Sequence, residues 1–212
     1  MVPFVTTPFV KRSKGKKYRS SRKTYYSVVN MSFARPRKLE SESELYEYAL
    51  GALGRRMRSV AEMKRLLRAR VEAKTELGQA LVELVIRRLK DHSYLNDSRY
   101  ASAYSTLRRD NEKFGRMRVI TDLKARGVHG EVIEQAISAA YDEVNEEQLA
   151  RQFLRRKRLE KPNGQKQAAR IFRRLAHAGF GSKTIFRILK KWDVDEDLLA
   201  AMEDGAAAGR QI

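Results

Sequence analysis

A chain of 212 residues with 42% hydrophobic side chains, 45 Lys and Arg against 26 Asp and Glu, a formal charge of +19 and a pI near 10.3 is long enough for one ordinary domain or a short array of small ones. Lacking cysteine, it has no disulfide framework, no thiolate nucleophile and no cysteine-ligated metal, which suits a reducing compartment. No apolar run approaches the roughly 18 to 20 residues that cross a bilayer, so the chain reads as cytoplasmic, soluble and drawn by its charge to polyanions, nucleic acid first.

From Met1 to Glu40, eleven bases face a single acid, so this segment holds +10 of the +19. Pro3, Pro8 and Pro36 fall here, and no helical or strand period survives among the Ser, Lys and Arg residues. Residues 1–40 therefore read as a disordered basic arm. An organelle transit peptide, or a translation start at Met31, fits the same composition.

Beyond residue 40 the punctuation is helical. Ser41 with Glu44, and Ser59 with Glu62, have capping-box spacing. Apolar stripes at helical intervals then follow: Leu45, Ala49, Ala52, Leu53 and Met57; Val60, Met63, Leu66 and Leu67; Val82, Val85, Ile86 and Leu89. A second trio comprises Tyr100, Ala101, Tyr104 and Leu107, then Val119, Ile120 and Leu123, then Val132, Ile133, Ala136, Ile137 and Ala140. A third comprises Leu149, Phe153 and Leu154, then Phe172, Leu175 and Ala176, then Ile185, Ile188, Leu189 and Trp192. Nine main helices are predicted, in an all-α fold. Gly51 and Gly54, inside the first, are read as permitting close helix packing.

The trios repeat. Val60, Met63, Leu66, Arg70 and Val71 align with Met117, Ile120, Leu123, Gly127 and Val128, and with Ala169, Phe172, Leu175, Gly179 and Phe180. Units of this size cannot bury an apolar face alone, so copies must stack into an elongated, curved array. Gly127 and Gly179 are predicted to stop each middle helix in the left-handed conformation. In the first copy Arg70 stands there, and about six extra residues near Glu72 to Leu77 imply a looser or differently capped corner. Gly164, beside Pro162 and Asn163, is expected to tolerate substitution better. The boundaries are 1–40 for the arm, 41–95, 96–144 and 145–203 for three three-helix repeats, and 204–212 for a flexible tail.

The run from Leu89 to Tyr104, with Tyr94, Leu95, Asn96, Asp97, Arg99, Tyr100 and Ala101, then Arg108-Arg109, Gly115 and the corner Leu123 to Val128, resembles the RecX family of RecA regulators. Its signature is a Y/L-L-D-D-x-R-F/Y-A hinge followed by a K/R-G-V/I corner, and Asn96 here replaces the first Asp. The resemblance extends over residues 41–203. It implies a protein that binds the RecA filament on single-stranded DNA and suppresses ATP hydrolysis, strand exchange and coprotease activity in recombination, repair and the SOS response.

Taken residue by residue, the hinge has plain structural uses. Asn96 or Asp97 is read as the N-cap of the helix through Tyr104, Arg99 as the partner of an acid or a helix C-terminus, and Tyr94, Tyr100, Tyr104 and Trp192 as core, with base stacking the other use of the tyrosines. His92, His129 and His177 stand alone, and neither a phosphate-binding loop nor a nucleophile elbow occurs, so neither an enzyme nor a cofactor is expected. Adjacent bases recur at Arg55-Arg56, Lys64-Arg65, Arg87-Arg88, Arg108-Arg109, Arg155-Arg156 and Arg173-Arg174, with Lys124, Arg126 and Lys157 beside them. Arg87, Arg88, Arg99, Arg108, Arg109, Lys124, Arg126, Arg155, Arg156, Arg173 and Arg174 are the candidate contacts to filament or DNA. A monomeric clamp on the filament is one reading. A helix-turn-helix regulator or architectural protein of duplex DNA is the other.

Overall fold

A computed structural model describes residues 37–72 and 74–192. The expectations for residues 1–36 and 193–212, including most of the basic arm and the tail, lie outside the described residues. Nine α-helices occupy the described residues: α1 Glu42–Arg55, α2 Val60–Arg68, α3 Glu76–Asp91, α4 Asp97–Leu107, α5 Arg116–Ala125, α6 Gly130–Tyr141, α7 Glu146–Arg156, α8 Gln165–His177 and α9 Ser182–Lys190. No strand occurs among them, and the all-helical reading holds. A π-helical turn, Arg108–Glu112, extends α4.

Local chemistry sets the helix starts. Ser59 and Glu62 form a complete capping box, the hydroxyl accepting from Glu62 N–H and the carboxylate from Ser59 N–H. At Ser41 only the hydroxyl half forms, because Glu44 instead pairs with Arg37 at 3.4 Å. Thr75, Asn96 and Asn145 cap α3, α4 and α7. The N-terminus of α9 has no cap from its own segment. Glu146 of α7 supplies it, accepting from Gly181 N–H at 2.8 Å and from the Thr184 hydroxyl.

Two apolar cores result. The first gathers Leu45, Tyr46, Ala49, Ala52, Met63, Leu67, Val71, Val82, Val85, Ile86, Leu89 and Leu95 from α1, α2, α3 and their connections. The second runs continuously through α4 to α9, from Tyr100 to Leu189, with Trp192 packed at its margin. Each fully buried Leu or Ile in them is worth roughly 1.5–3 kcal/mol.

The buried register corrects the sequence alignment. Leu67, not Leu66, is fully buried, so Met63, Leu67 and Val71 correspond to Val119, Leu123 and Val128, and to Ile171, Leu175 and Phe180. The first corner is one residue tighter. Where Val128 N–H and Phe180 N–H reach back to the carbonyls of Leu123 and Leu175, Arg70 N–H bonds to Leu67 O, and Leu39 N–H covers Arg70 O at 2.7 Å. Gly127 and Gly179 stand at φ 74° and 89°, whereas Arg70 has no positive φ. The six-residue insertion is also accounted for. Val71 and Val82 are eleven apart where Val128 and Ile133, or Phe180 and Ile185, are five apart. The α2–α3 connection takes three of the extra residues, and α3 begins three residues earlier relative to its first buried valine.

Several apolar assignments also change. Met57 is exposed because α1 ends at Arg55. Leu107 is exposed because the inward face continues through Ser105 and into the π turn. Met117 and Ala176 lie off the stripes defined by Val119 and Leu175. Gly51 and Gly54 face open space, so they serve no close packing.

Tyr141 links the second core to the end of the π turn, donating to Phe114 O at 2.9 Å. Burial pushes its phenol up to about 12 from 10.0, with Arg109 opposing the shift. A raised folded pKa favours the protonated form, so this contribution is complete below pH 10 and is lost as the pH rises from 10 toward 12. Urea unfolding across that interval should show stability falling in the wild type and a shallower fall in Tyr141→Phe; parallel curves would contradict the assignment.

Candidate partner and nucleic-acid interface

The two cores meet at a polar joint. Asp97, two residues past the last residue of the first core, does not cap its own helix. Asn96 caps α4, accepting from Arg99 N–H at 2.9 Å, while Asp97 Oδ1 accepts from Val60 N–H at 2.8 Å and so covers the start of α2. The Ser59 hydroxyl donates to Arg126 O at 2.6 Å, and the Arg126 guanidinium meets Glu62 Oε1 at 2.8 Å. Arg126 also lies over the Tyr104 ring, 4.9 Å from its centre. Burial alone would depress this guanidinium, but Tyr100, Tyr104 and Glu62 together hold it above its ordinary value. Burial, reinforced by Glu62, raises the neighbouring Tyr100 phenol.

The adjacent bases Arg87-Arg88, Arg108-Arg109 and Arg155-Arg156 take different surroundings, because consecutive helical residues point about 100° apart. Arg108 turns inward, its guanidinium between the rings of Tyr104 and Phe114 at 4.9 and 6.0 Å, with its Nε buried and without a hydrogen-bond partner. Arg109 donates to Ala140 O at the end of α6 and pairs with Asp110 at 2.7 Å. That hydrogen bond raises the guanidinium and holds the Asp110 carboxyl below its ordinary value. Arg88 covers Tyr46 at 4.1 Å and meets Glu42 at 3.0 Å; Arg156 meets Glu112 at 3.6 Å. Arg87, Arg99, Lys124, Arg155, Arg173 and Arg174 are exposed and have no acidic partner among the described residues. At the other end of the body, Lys191 and then Arg151 hold the half-buried Glu147 carboxyl below its usual range.

Three surface depressions collect some of these bases. Lys124 joins Lys64, Arg65 and Arg68 in a cleft of about 270 Å³ between α2 and α5, where Glu83 engages Lys64 at 2.7 Å. Arg155 and Arg151 edge a smaller hollow of about 200 Å³ with Leu154, Leu159 and Trp192. A groove of about 490 Å³ lies between the C-terminal end of α1 and the α3–α4 corner, lined by Leu50, Leu53, Met57, Arg58, Tyr94, Arg99 and neighbours. Tyr94 corrects a sequence expectation. Ser93, at φ 57°, turns the chain so that Leu95 enters the first core and Tyr94 stays 55% exposed, whereas Tyr100 and Tyr104 are buried. Arg58 and Arg68 also line these depressions, and neither stands among the sequence candidates. Among the described residues no group of three His, Cys, Asp or Glu is placed to hold a metal ion, and no helix is long and apolar enough to cross a membrane.

The fold and this surface define a helical-repeat protein whose reactive features are charges and a groove. Residues 96–137, α4 through most of α6, match the family model described as "RecX, second three-helix domain". The chain belongs to the RecX family. It is 32% identical to the regulatory protein RecX of Deinococcus radiodurans, over 74% of this chain and 72% of that protein. The regulatory protein RecX of Myxococcus xanthus is also 32% identical, over 74% of this chain and 87% of that one. The Bacillus pumilus relative is 32% identical over 69% of this chain, which spans about half, 54%, of that longer protein. The crystal structure of RecX from Lactobacillus salivarius shares the fold, with a TM-score of 0.54 at 20% identity, covering 72% of this chain and 96% of that one. These relatives carry the name of regulatory proteins, not of enzymes.

Proposed function

We propose that this chain binds the RecA recombinase filament on single-stranded DNA and inhibits its ATP hydrolysis, strand exchange and coprotease activity, in recombination, repair and the SOS response. It acts as a cytoplasmic monomer and needs no cofactor. Family membership supports the reading, and one feature of the described body carries it. Bases without acidic partners sit on α3, α4, α5, α7 and α8, spread over both cores and not gathered on a single recognition helix. Many weak phosphate and carboxylate contacts along a repeating polymer use such a spread. Held across several protomers, the body restricts the subunit motions that ATP turnover requires.

The test is a titration of this protein against its cognate recombinase on single-stranded DNA while ATP hydrolysis is followed. Inhibition at or below one protein per recombinase protomer is expected, together with binding to free DNA that is sequence-indifferent and falls steeply with salt. Unchanged hydrolysis at saturation, with tight salt-insensitive binding to one duplex sequence, would instead establish the helix-turn-helix regulator.

A further inference from the structure

The groove at the α3–α4 corner is not used by the fold, and we propose that it is a subsite for one unstacked base and its adjoining phosphate in a single-stranded nucleic acid. This rests on the reading that the chain acts on single-stranded DNA, and adds where the strand is held.

The apolar part of the groove is a stacking surface. Leu50, Leu53 and Met57 lie along it, with Met57 53% exposed, and the exposed Tyr94 ring beside them lies stacked against His92 at 6.3 Å and 17°. An exposed aromatic ring stacks on any base, because every base has a π-face.

The charged part is cationic without opposition. Arg58 is anchored through Nε to Ala52 O at 3.4 Å, and Arg99 has no acidic partner among the described residues. Neither Asp nor Glu lines the groove. Position 96, acidic in the hinge signature, is Asn in this chain, and its side-chain oxygen accepts from Arg99 N–H. A carboxylate there would face the same anion that the two guanidinium groups attract. A flat apolar face with a phosphate beside it is the chemistry of a single-stranded nucleotide. A duplex conceals its base faces, and an acidic peptide has no need of an oriented ring.

The experiment uses the full chain and a short oligothymidylate carrying one 2-aminopurine. Wild type and Tyr94→Phe should quench the 2-aminopurine on binding. Tyr94→Ala should abolish the quench and weaken binding about tenfold with its salt slope unchanged, since one base stack is lost. Arg99→Gln should keep the quench while the salt slope falls by about one. An unchanged thermal midpoint in Tyr94→Ala establishes that the fold is intact. Wild-type quench and affinity in Tyr94→Ala, or equal affinity for duplex, would overturn the proposal; so would an acidic leucine-containing peptide that binds in a Tyr94-dependent way while the oligonucleotide does not. If recombinase inhibition stands while Tyr94→Ala behaves as wild type, only the subsite fails. If the quench is seen without any inhibition, the subsite stands and the functional reading fails.

Discussion

Gly179→Val should lower the stability of the protein by about 2–5 kcal/mol, more than the same change at Gly127 or Gly164. A side chain at φ 89° costs about 1–2 kcal/mol by itself. Its Cβ would also stand 2.2 Å from Arg118 N and 2.6 Å from Arg118 Cβ, so the start of α5 must move, adding the roughly 1–3 kcal/mol typical of overpacking. At Gly127 the Cβ would meet only Ala61 Cβ, at 2.5 Å. Gly164, at φ 155°, faces open space, so its cost is conformational alone and its tolerance is only relative. Urea midpoints should therefore fall in the order Gly164→Val, Gly127→Val, Gly179→Val; equal midpoints would refute this account of the corners.

Glu62→Ala should cost about 2–4.5 kcal/mol, since the 2.8 Å bond from the Arg126 guanidinium contributes about 1.5–3 kcal/mol and the longer 3.3 Å bond from Ser59 N–H about 0.5–1.5 kcal/mol. With only 13% of its side chain exposed, Glu62 receives little help from water, and its removal leaves Arg126 and Ser59 N–H without their partner. A double-mutant cycle with Arg126→Met should give a coupling of at least about 0.5 kcal/mol, and strict additivity would show the contact to be inert. Because Glu62 ties together two separate apolar clusters, the variant should also lose the first core before the second. Trp192 fluorescence, which reports the second core, should then lag behind the far-ultraviolet circular dichroism signal; coincident transitions would mean that the cores remain coupled without Glu62.

Local chemistry was legible in the sequence, and contacts across the chain were not. Ser59 and Glu62 lie three apart, so their capping box can be read directly. Asp97 could be recognised as a cap but not assigned to its helix, because Val60 is 37 positions away. Gly127 and Gly179 carry their conformation in their identity, whereas Ser93, Lys113 and Arg158 take positive φ with side chains that give no such signal. Lys113 ends the π turn, on which Arg108 turns inward over the Tyr104 ring while Arg109, partly exposed, reaches Ala140 O. The apolar neighbours of Tyr94 in the sequence point to the core, and only the turn at Ser93 separates it from Leu95. Of the candidate surface, the bases themselves could be named from sequence, but not the cleft that gathers Lys64, Arg65, Arg68 and Lys124.

The hydrogen bonds between the α8–α9 corner and the start of α5 are main-chain: Gly115 N–H donates to Ala178 O at 2.8 Å and Met117 N–H to Gly179 O at 3.2 Å. A Cβ on Gly115 would lie 2.4 Å from Gly179 O, and one on Gly179 would lie 2.2 Å from Arg118 N, so each glycine faces main chain across the seam. A seam made of amides and carbonyls is indifferent to the polarity of the residues that supply them. At its glycines it filters mutations by bulk and not by chemistry. The exposed side chains beside it, Arg116 and Met117, can change polarity with little penalty, whereas Ala178 and Phe180, being buried, cannot, and a single added carbon at either glycine closes the gap. Relaxation at either glycine requires main chain of the opposite element to move, because what stands in the way is backbone and not the end of a flexible side chain. Drift at this seam is therefore confined to its surroundings, and the two glycines can be altered only together with a shift of α5.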